Sequence, residues 1–302
     1  MNLHLHTALL ALVAVSLPVI AHADGTAPIA DRRALSAAAQ RDAQGNAINT
    51  LTLSLPVGQH GWVQGGLGRT QLQDETTAAR TRSHQASLGA GLVGERWQAG
   101  VGVTQRRGGD RLRQQDLIAS IDRRIGQRWS VGLDVTRREG RAESTGTTAD
   151  GTPGRVTQRL TGQGAGVRLA VAANDRLTVY GAVQQSHFTS STETAGTPAG
   201  DGVLGGLLTQ ANRVTVVNRE EAALTQSQLL GATVRVSDRI AVSGEVAQDR
   251  LLGGGMLRSA QLRPALRLGD SGWTLSPGVG ISRSSAGTSV GSGSLRASYA
   301  WE

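Results

Sequence analysis

The stretch GERWQAGVGVTQRR, residues 94–107, decides the architecture. Trp97, Ala99, Val101 and Val103 are apolar at every second position, and Arg96, Gln98, Gly100, Gly102 and Thr104 stand between them. Successive side chains of a strand point to opposite faces, so this is a strand with one oily and one polar face. In a soluble sandwich the oily face meets a protein core. In a transmembrane barrel it meets lipid, and the polar face lines water.

The rest of the chain repeats the pattern. ERWQAGVGV (95–103), QRWSVGLDV (127–135), DRLTVYGAV (175–183), DRIAVSGEV (238–246) and SGWTLSPGV (271–279) each begin at a tight turn, place a bulky apolar residue, alternate and end in valine. HGWVQGGLG (60–68) is a weaker copy whose alternation slips by one residue, as at a bulge. Five alternating stretches precede the turns: QASLGAGLVG (85–94), LIASIDRRIG (117–126), GAGVRLAVAA (164–173), LLGATVRVS (229–237) and AQLRPALRLG (260–269); SGSLRASYAWE (292–302) closes the chain. Six outgoing and six returning strands make an all-β fold: a twelve-stranded antiparallel up-and-down transmembrane β-barrel, even-numbered as single-chain bacterial barrels are. The links on one side are short, at 94–96, 126–128, 174–176, 237–239 and 269–272. On the other side they are longer, near 73–82, 107–111, 141–154, 191–218, 251–256 and 284–290. Short periplasmic turns and longer extracellular loops are the barrel pattern.

Composition agrees. The 302 residues include 41 glycines, a single phenylalanine, Phe188, and two tyrosines, Tyr180 and Tyr299. A soluble core of this size wants more large apolar side chains, whereas a water-filled barrel has no such core. Residues 1–23 read as a signal peptide: an apolar run from Thr7 to Ile20 and a small-x-small end at AHA. There is no cysteine, and all 31 basic residues are arginine. In an exported chain that basicity does not point to nucleic acid.

The tryptophans mark an interface. Trp62, Trp97, Trp129 and Trp273 open outgoing strands and Trp301 ends the last returning strand, so all five fall at the periplasmic end, as an outward-facing aromatic belt. Leu177 and Ile240 hold the same place in the other two outgoing strands, and Phe188 is the evident aromatic of the outer leaflet. The C-terminal LRASYAWE (295–302) resembles the terminal strand of Gram-negative outer-membrane proteins, with its last aromatic one residue from the end. That resemblance, to a class and over residues 60–302, implies insertion by the barrel-assembly machinery into the outer membrane, against outer-membrane lipid and lipopolysaccharide.

Residues 24–58 precede the barrel of 59–302. DRRALSAAAQRDAQ (31–44) is alanine-rich and suits a short helix; NTLTLSLPVG (49–58) alternates as a strand does. The segment is a periplasmic leader with a possible periplasmic partner, a plug in the lumen, or a first membrane strand in place of another. One extra strand would break the even count.

With the apolar phase facing lipid, the opposite phase turns Arg96, Arg106, Arg124, Arg128, Arg138, Arg168, Arg176, Arg235, Arg239, Arg263, Arg267 and Arg296 into the lumen, with Asp116, Asp122, Asp134, Glu245 and Asp249. Arg96, Arg128, Arg176 and Arg239 share one repeat position beside the short turns, suited to a partial ring at the periplasmic mouth. An arginine-rich wall favours anions, in character similar to the twelve-stranded porins for acidic oligosaccharides; the competing reading is that the arginines pair with lumen acids and stiffen the barrel. The expected function is a channel for small polar, anionic solutes. The alternative is a structural or secretion-linked barrel, similar in strand number to autotransporter translocators. A minor third is a rim lipid hydrolase built on His84 or His187, with Ser83, Ser186 or Glu193 nearby in sequence. No metal-ligand or cofactor spacing is present. The long loop 191–218 either folds into the pore through GVLGGLLTQA (202–211) or is the tip of strands extended above the membrane.

Overall fold

The computed structural model describes residues 33–73, 80–108, 112–147, 153–195, 223–252, 254–285 and 287–301. The signal-peptide reading of 1–23 and the segment GVLGGLLTQA lie outside these residues.

The chain closes as fourteen strands, not twelve. They are β1 (Arg33–Asp42), β2 (Ala47–Val57), β3 (Gly61–Gln73), β4 (Arg80–Val93), β5 (Trp97–Gly108), β6 (Leu112–Ile125), β7 (Trp129–Thr147), β8 (Pro153–Ala172), β9 (Leu177–Ala195), β10 (Leu224–Arg235), β11 (Ile240–Leu251), β12 (Met256–Arg267), β13 (Trp273–Ser284) and β14 (Ser289–Trp301). Every neighbour in the sheet is a neighbour in sequence, all pairs are antiparallel, and β1 closes the ring against β14. Each of the twelve segments recognised by alternation falls in one of β3–β14.

The two strands beyond twelve come from residues 33–57, where a leader, plug or single strand was expected. The segment holds a hairpin, so the count stays even. Alanine favours a helix, but Arg33–Asp42 has ten paired positions with β14 and eight with β2. In a bilayer the backbone groups of an open edge have no water to bond, so closure outweighs local preference. Leu35, Ala37 and Ala39 then lie on the outer face with Leu51 and Leu53 of β2. The turn between them is built by Asp42. Its carboxylate accepts the backbone N–H groups of Gln44 (3.0 Å) and Asn46 (2.9 Å) and the Asn46 side-chain amide (2.9 Å). Gly45 takes φ 86°, and the Asn46 side-chain oxygen accepts the N–H of Gln73, tying the turn to β3.

Trp62 is not at a bulge and not in the outer belt. The β2–β3 and β3–β4 registers run without a shift. The reason shows in the ladder at the short-turn end. The carbonyls of His60, Arg96, Arg128, Arg176, Arg239 and Gly272 each accept a backbone N–H from a neighbouring strand. The residues that follow are Gly61, Trp97, Trp129, Leu177, Ile240 and Trp273. Gly61 therefore occupies the belt position, and Trp62, one residue on, points inward with 1 % of its surface exposed, against 43 % for Trp97, 48 % for Trp129 and 43 % for Trp273 on the outer wall. Trp301 is half-buried and stacks on Tyr299 (5.5 Å), which packs against Trp273 (5.0 Å), so aromatics cover the wall beside the β14–β1 closure.

The face assignment of the new hairpin makes a direct test. Leu51→Arg, near the middle of β2 on the lipid side, should cost about 2–4 kcal/mol in urea unfolding from lipid vesicles. Thr52→Arg, one residue away on the inner wall, should cost less than about 1 kcal/mol. Equal costs for the two would refute the phase.

Candidate functional site

The inner wall is built from small and polar residues, and its long side chains sit where the wall has a glycine. Trp62 lies directly opposite Gly91, Phe188 opposite Gly162 and Tyr180 opposite Gly231. A Cβ added at Gly91 would stand 2.7 Å from the Trp62 ring, and one at Gly100, a strand further, 3.0 Å from it. The glycines leave room for an aromatic ring to lie flat across the neighbouring strand, the pairing known as aromatic rescue.

The same device lets charges meet across an intervening strand. Asp122 of β6 and Arg168 of β8 both face Gly132 of β7. Over that glycine the Arg168 guanidinium donates to Asp122 at 3.2 Å, and to Asp134, at 3.2 Å. Tyr180 of β9 reaches over Gly231 to donate its hydroxyl to Glu245 of β11 at 2.8 Å, and Glu245 accepts from Arg263 of β12 at 2.6 Å. A third pair is direct: Arg138 faces Asp116 and donates its Nε to it at 2.7 Å, while the Gln114 amide donates to the same carboxylate at 2.8 Å. These groups hold β6–β8 and β9–β12 together from inside.

The twelve arginines assigned to the lumen therefore divide. Arg106, Arg124, Arg138, Arg168, Arg235, Arg263, Arg267 and Arg296 lie on the inner phase of strands. Arg96, Arg128, Arg176 and Arg239 lie in the short turns, exposed, where their backbone carbonyls extend the ladder. On the inner phase eight arginines meet six acids: Asp116, Asp122, Asp134, Glu245, Asp249 and Asp42, the last contributed by β1. Of the eight, Arg138, Arg168 and Arg263 form the ion pairs just described. Arg124 and Arg267, near the short-turn end, are exposed and have no acidic partner among the described residues.

The opposite end of the lumen carries an apolar arc. Leu112, Ala142 and Leu160 are buried together, with Phe188, Ala223 and Leu252 packed against them; Leu251, Leu257 and Leu224 form a second cluster. They make a collar on the inner wall from β6 to β12. Arg106 and Arg138, close by on β5 and β7, are each only 2 % exposed. Phe188 thus belongs to this inner collar rather than to an outward belt, because Gly162 opens the space beside it and its phase is that of Tyr180.

Tyr180, Phe188 and Asp42 were not anticipated as lumen groups. The signal was available: each aromatic breaks the apolar phase of its own strand, and Asp42, Gly45 and Asn46 spell a turn. The two rim histidines are exposed on the outer phase, and Ser83 and Ser186, one residue before them, face inward on the same strands. Among the described residues no cluster of histidine and acids is arranged to hold a metal.

No protein-family model and no curated protein sequence matches the chain. Solved structures do. A Pseudomonas aeruginosa FadL homologue superposes with TM-score 0.57 at 10 % identity, covering 89 % of this chain and 89 % of that one. The CymD monoaromatic hydrocarbon channel gives 0.53 at 9 %, covering 89 % and 87 %. The Pseudomonas putida toluene transporter TodX gives 0.52 at 8 %, covering 89 % and 88 %. The fold is that of the outer-membrane β-barrels.

Proposed function

We propose that this outer-membrane-type barrel is a channel for small polar solutes with a modest preference for anions. The observation that carries the reading is the pair Arg124 and Arg267, exposed on the inner phase near the short-turn end and without acidic partners. Fixed, unneutralised guanidinium groups at a mouth lower the entry barrier for anions through their local field, and they bind carboxylates and phosphates in paired hydrogen bonds. The preference is modest because eight inner-phase arginines meet six acids, and the three clearest ion pairs act as braces. The channel and transporter neighbours support the coarser part of this reading.

Planar-bilayer recordings under a salt gradient test it. The wild-type reversal potential should have the sign of anion preference, and Arg124→Glu with Arg267→Glu should lower the anion-to-cation permeability ratio by about twofold or more. A cation-selective wild type, or a ratio unmoved by the double variant, contradicts the proposal.

The apolar collar favours a second reading. Phe188, Ala223 and Leu252, partly buried against Leu112 and Leu160, offer a greasy landing site at the outer mouth, and CymD and TodX are described as passing monoaromatic hydrocarbon and toluene. Uptake of a small aromatic that is lost in Phe188→Ala while ion conductance persists would select this reading over the first.

A further inference from the structure

The outer wall carries a row of basic residues. Arg69 of β3 stands directly opposite His84 of β4, His84 opposite Arg107 of β5, Arg107 opposite Arg113 of β6, Arg113 opposite Arg141 of β7, and Arg141 opposite Arg159 of β8. All six are exposed, on the phase that carries the lipid-facing apolar residues. Glu143 answers Arg141 at 2.8 Å. Arg69, Arg107 and Arg113 have no carboxylate partner among the described residues.

Directly opposed residues on one face of an antiparallel pair lie about 4.5–5.5 Å apart at Cβ, and like charges there repel. A sheet would ordinarily alternate their sign. This one repeats it from Arg107 to Arg159 across β5–β8, so the arrangement calls for an external anion that bridges neighbours.

Depth indicates which anion. A tilted strand needs about 9–11 residues to cross the hydrocarbon core. Arg107 lies ten positions beyond Trp97 on β5 and Arg141 twelve beyond Trp129 on β7, at or just past the far boundary of the core, and Arg69 lies eight beyond Gly61 on β3, just inside it. Two rows nearer the short turns, the same strands present Leu88, Val103 and Leu117 to lipid. At a boundary an outward arginine costs little, whereas at mid-depth it costs much more. The groups that meet a wall at this depth are the lipid headgroups of the outer leaflet. A guanidinium matches a phosphate in fork geometry, and each phosphate seated between two strands answers two of the cations.

We infer that Arg69, His84, Arg107 and Arg113 form a binding site for the phosphate groups of the phosphorylated glycolipid of the outer leaflet. The site is on the outer wall of β3–β6 and independent of anything that passes through the lumen.

The test uses the purified, folded full-length barrel and lipopolysaccharide as the probe, with its phosphates intact or chemically removed. Wild type should bind the phosphorylated form at least about tenfold more tightly than the dephosphorylated form. The triple variant R69Q/R107Q/R113Q should lose that difference. The triple R96Q/R128Q/R176Q, with the same charge removed at the short-turn end, should keep it. R107K, which retains charge and loses the fork, should fall between. Equal binding of the two lipid forms by wild type overturns the inference without recourse to any variant, and so does an equal loss in both triples, which would mark long-range attraction instead of a site. Ion selectivity in planar bilayers should be unchanged in R69Q/R107Q/R113Q, which separates this result from the channel proposal.

Discussion

A chain lacking residues 24–58 should fail to form a closed barrel. It loses β1 and β2, and with them ten paired positions between β1 and β14 and eleven between β2 and β3. β14 and β3 become open edges. Each unsatisfied backbone group in the hydrocarbon region costs several kcal/mol, far beyond the stability any folded domain holds in reserve. Direct pairing of β3 with β14 would demand a tighter ring, with Trp62 still to be housed on the inner wall beside Gly91 and Gly100. The expected result is loss of the heat-sensitive folded band on gels and protease sensitivity in vesicles, with recovery when residues 24–58 are supplied as a separate peptide. Folding of the truncated chain with the wild-type unfolding midpoint would mean that the hairpin is an accessory to a twelve-stranded ring.

The second large effect is expected inside the wall. In Asp116→Ala the Arg138 guanidinium loses its only carboxylate among the described residues, in an environment that leaves its side chain 3 % exposed. Two of its nitrogens, Nη1 and Nη2, are already buried without hydrogen-bond partners. Removing one member of a buried pair typically costs about 3–5 kcal/mol, because the other charge stays behind unpaired. Replacing both members with apolar residues is often neutral, so Asp116→Ala combined with Arg138→Met should recover most of the loss. Urea unfolding of the two single variants and the double variant gives the coupling energy. A cost under about 1 kcal/mol for Asp116→Ala would show that Arg138 reaches lumen water and that the pair is not a brace.

The outer-wall row was not legible in the sequence because of where the strands were ended. Arg107 and Arg141 fell in stretches read as loops, yet β5 and β7 continue through them. Alternation of apolar and polar residues signals a strand only while one face meets hydrocarbon. Beyond the boundary the outer face turns polar, and on β6–β9 the inner face carries the apolar collar, so the apolar-outward period disappears although hydrogen bonding continues. The same limit hid β1, whose outward face is mostly alanine and whose strand identity rests on partners 6–20 and 250–268 residues away in the chain.

The sequence by itself determined the strand class, the lipid-facing phase of β4–β14, the short-turn side and the outward place of Trp97, Trp129 and Trp273 on it, because each of these follows from a local period of two and from a side chain's preference for oil, water or their interface. Tertiary structure alone decided the number of strands, the inward turn of Trp62, and which arginines are neutralised. Those depend on what stands opposite: an edge that must be closed, a glycine that leaves room for a ring, a carboxylate two strands away. Register across strands supplies those neighbours, and no single strand contains it.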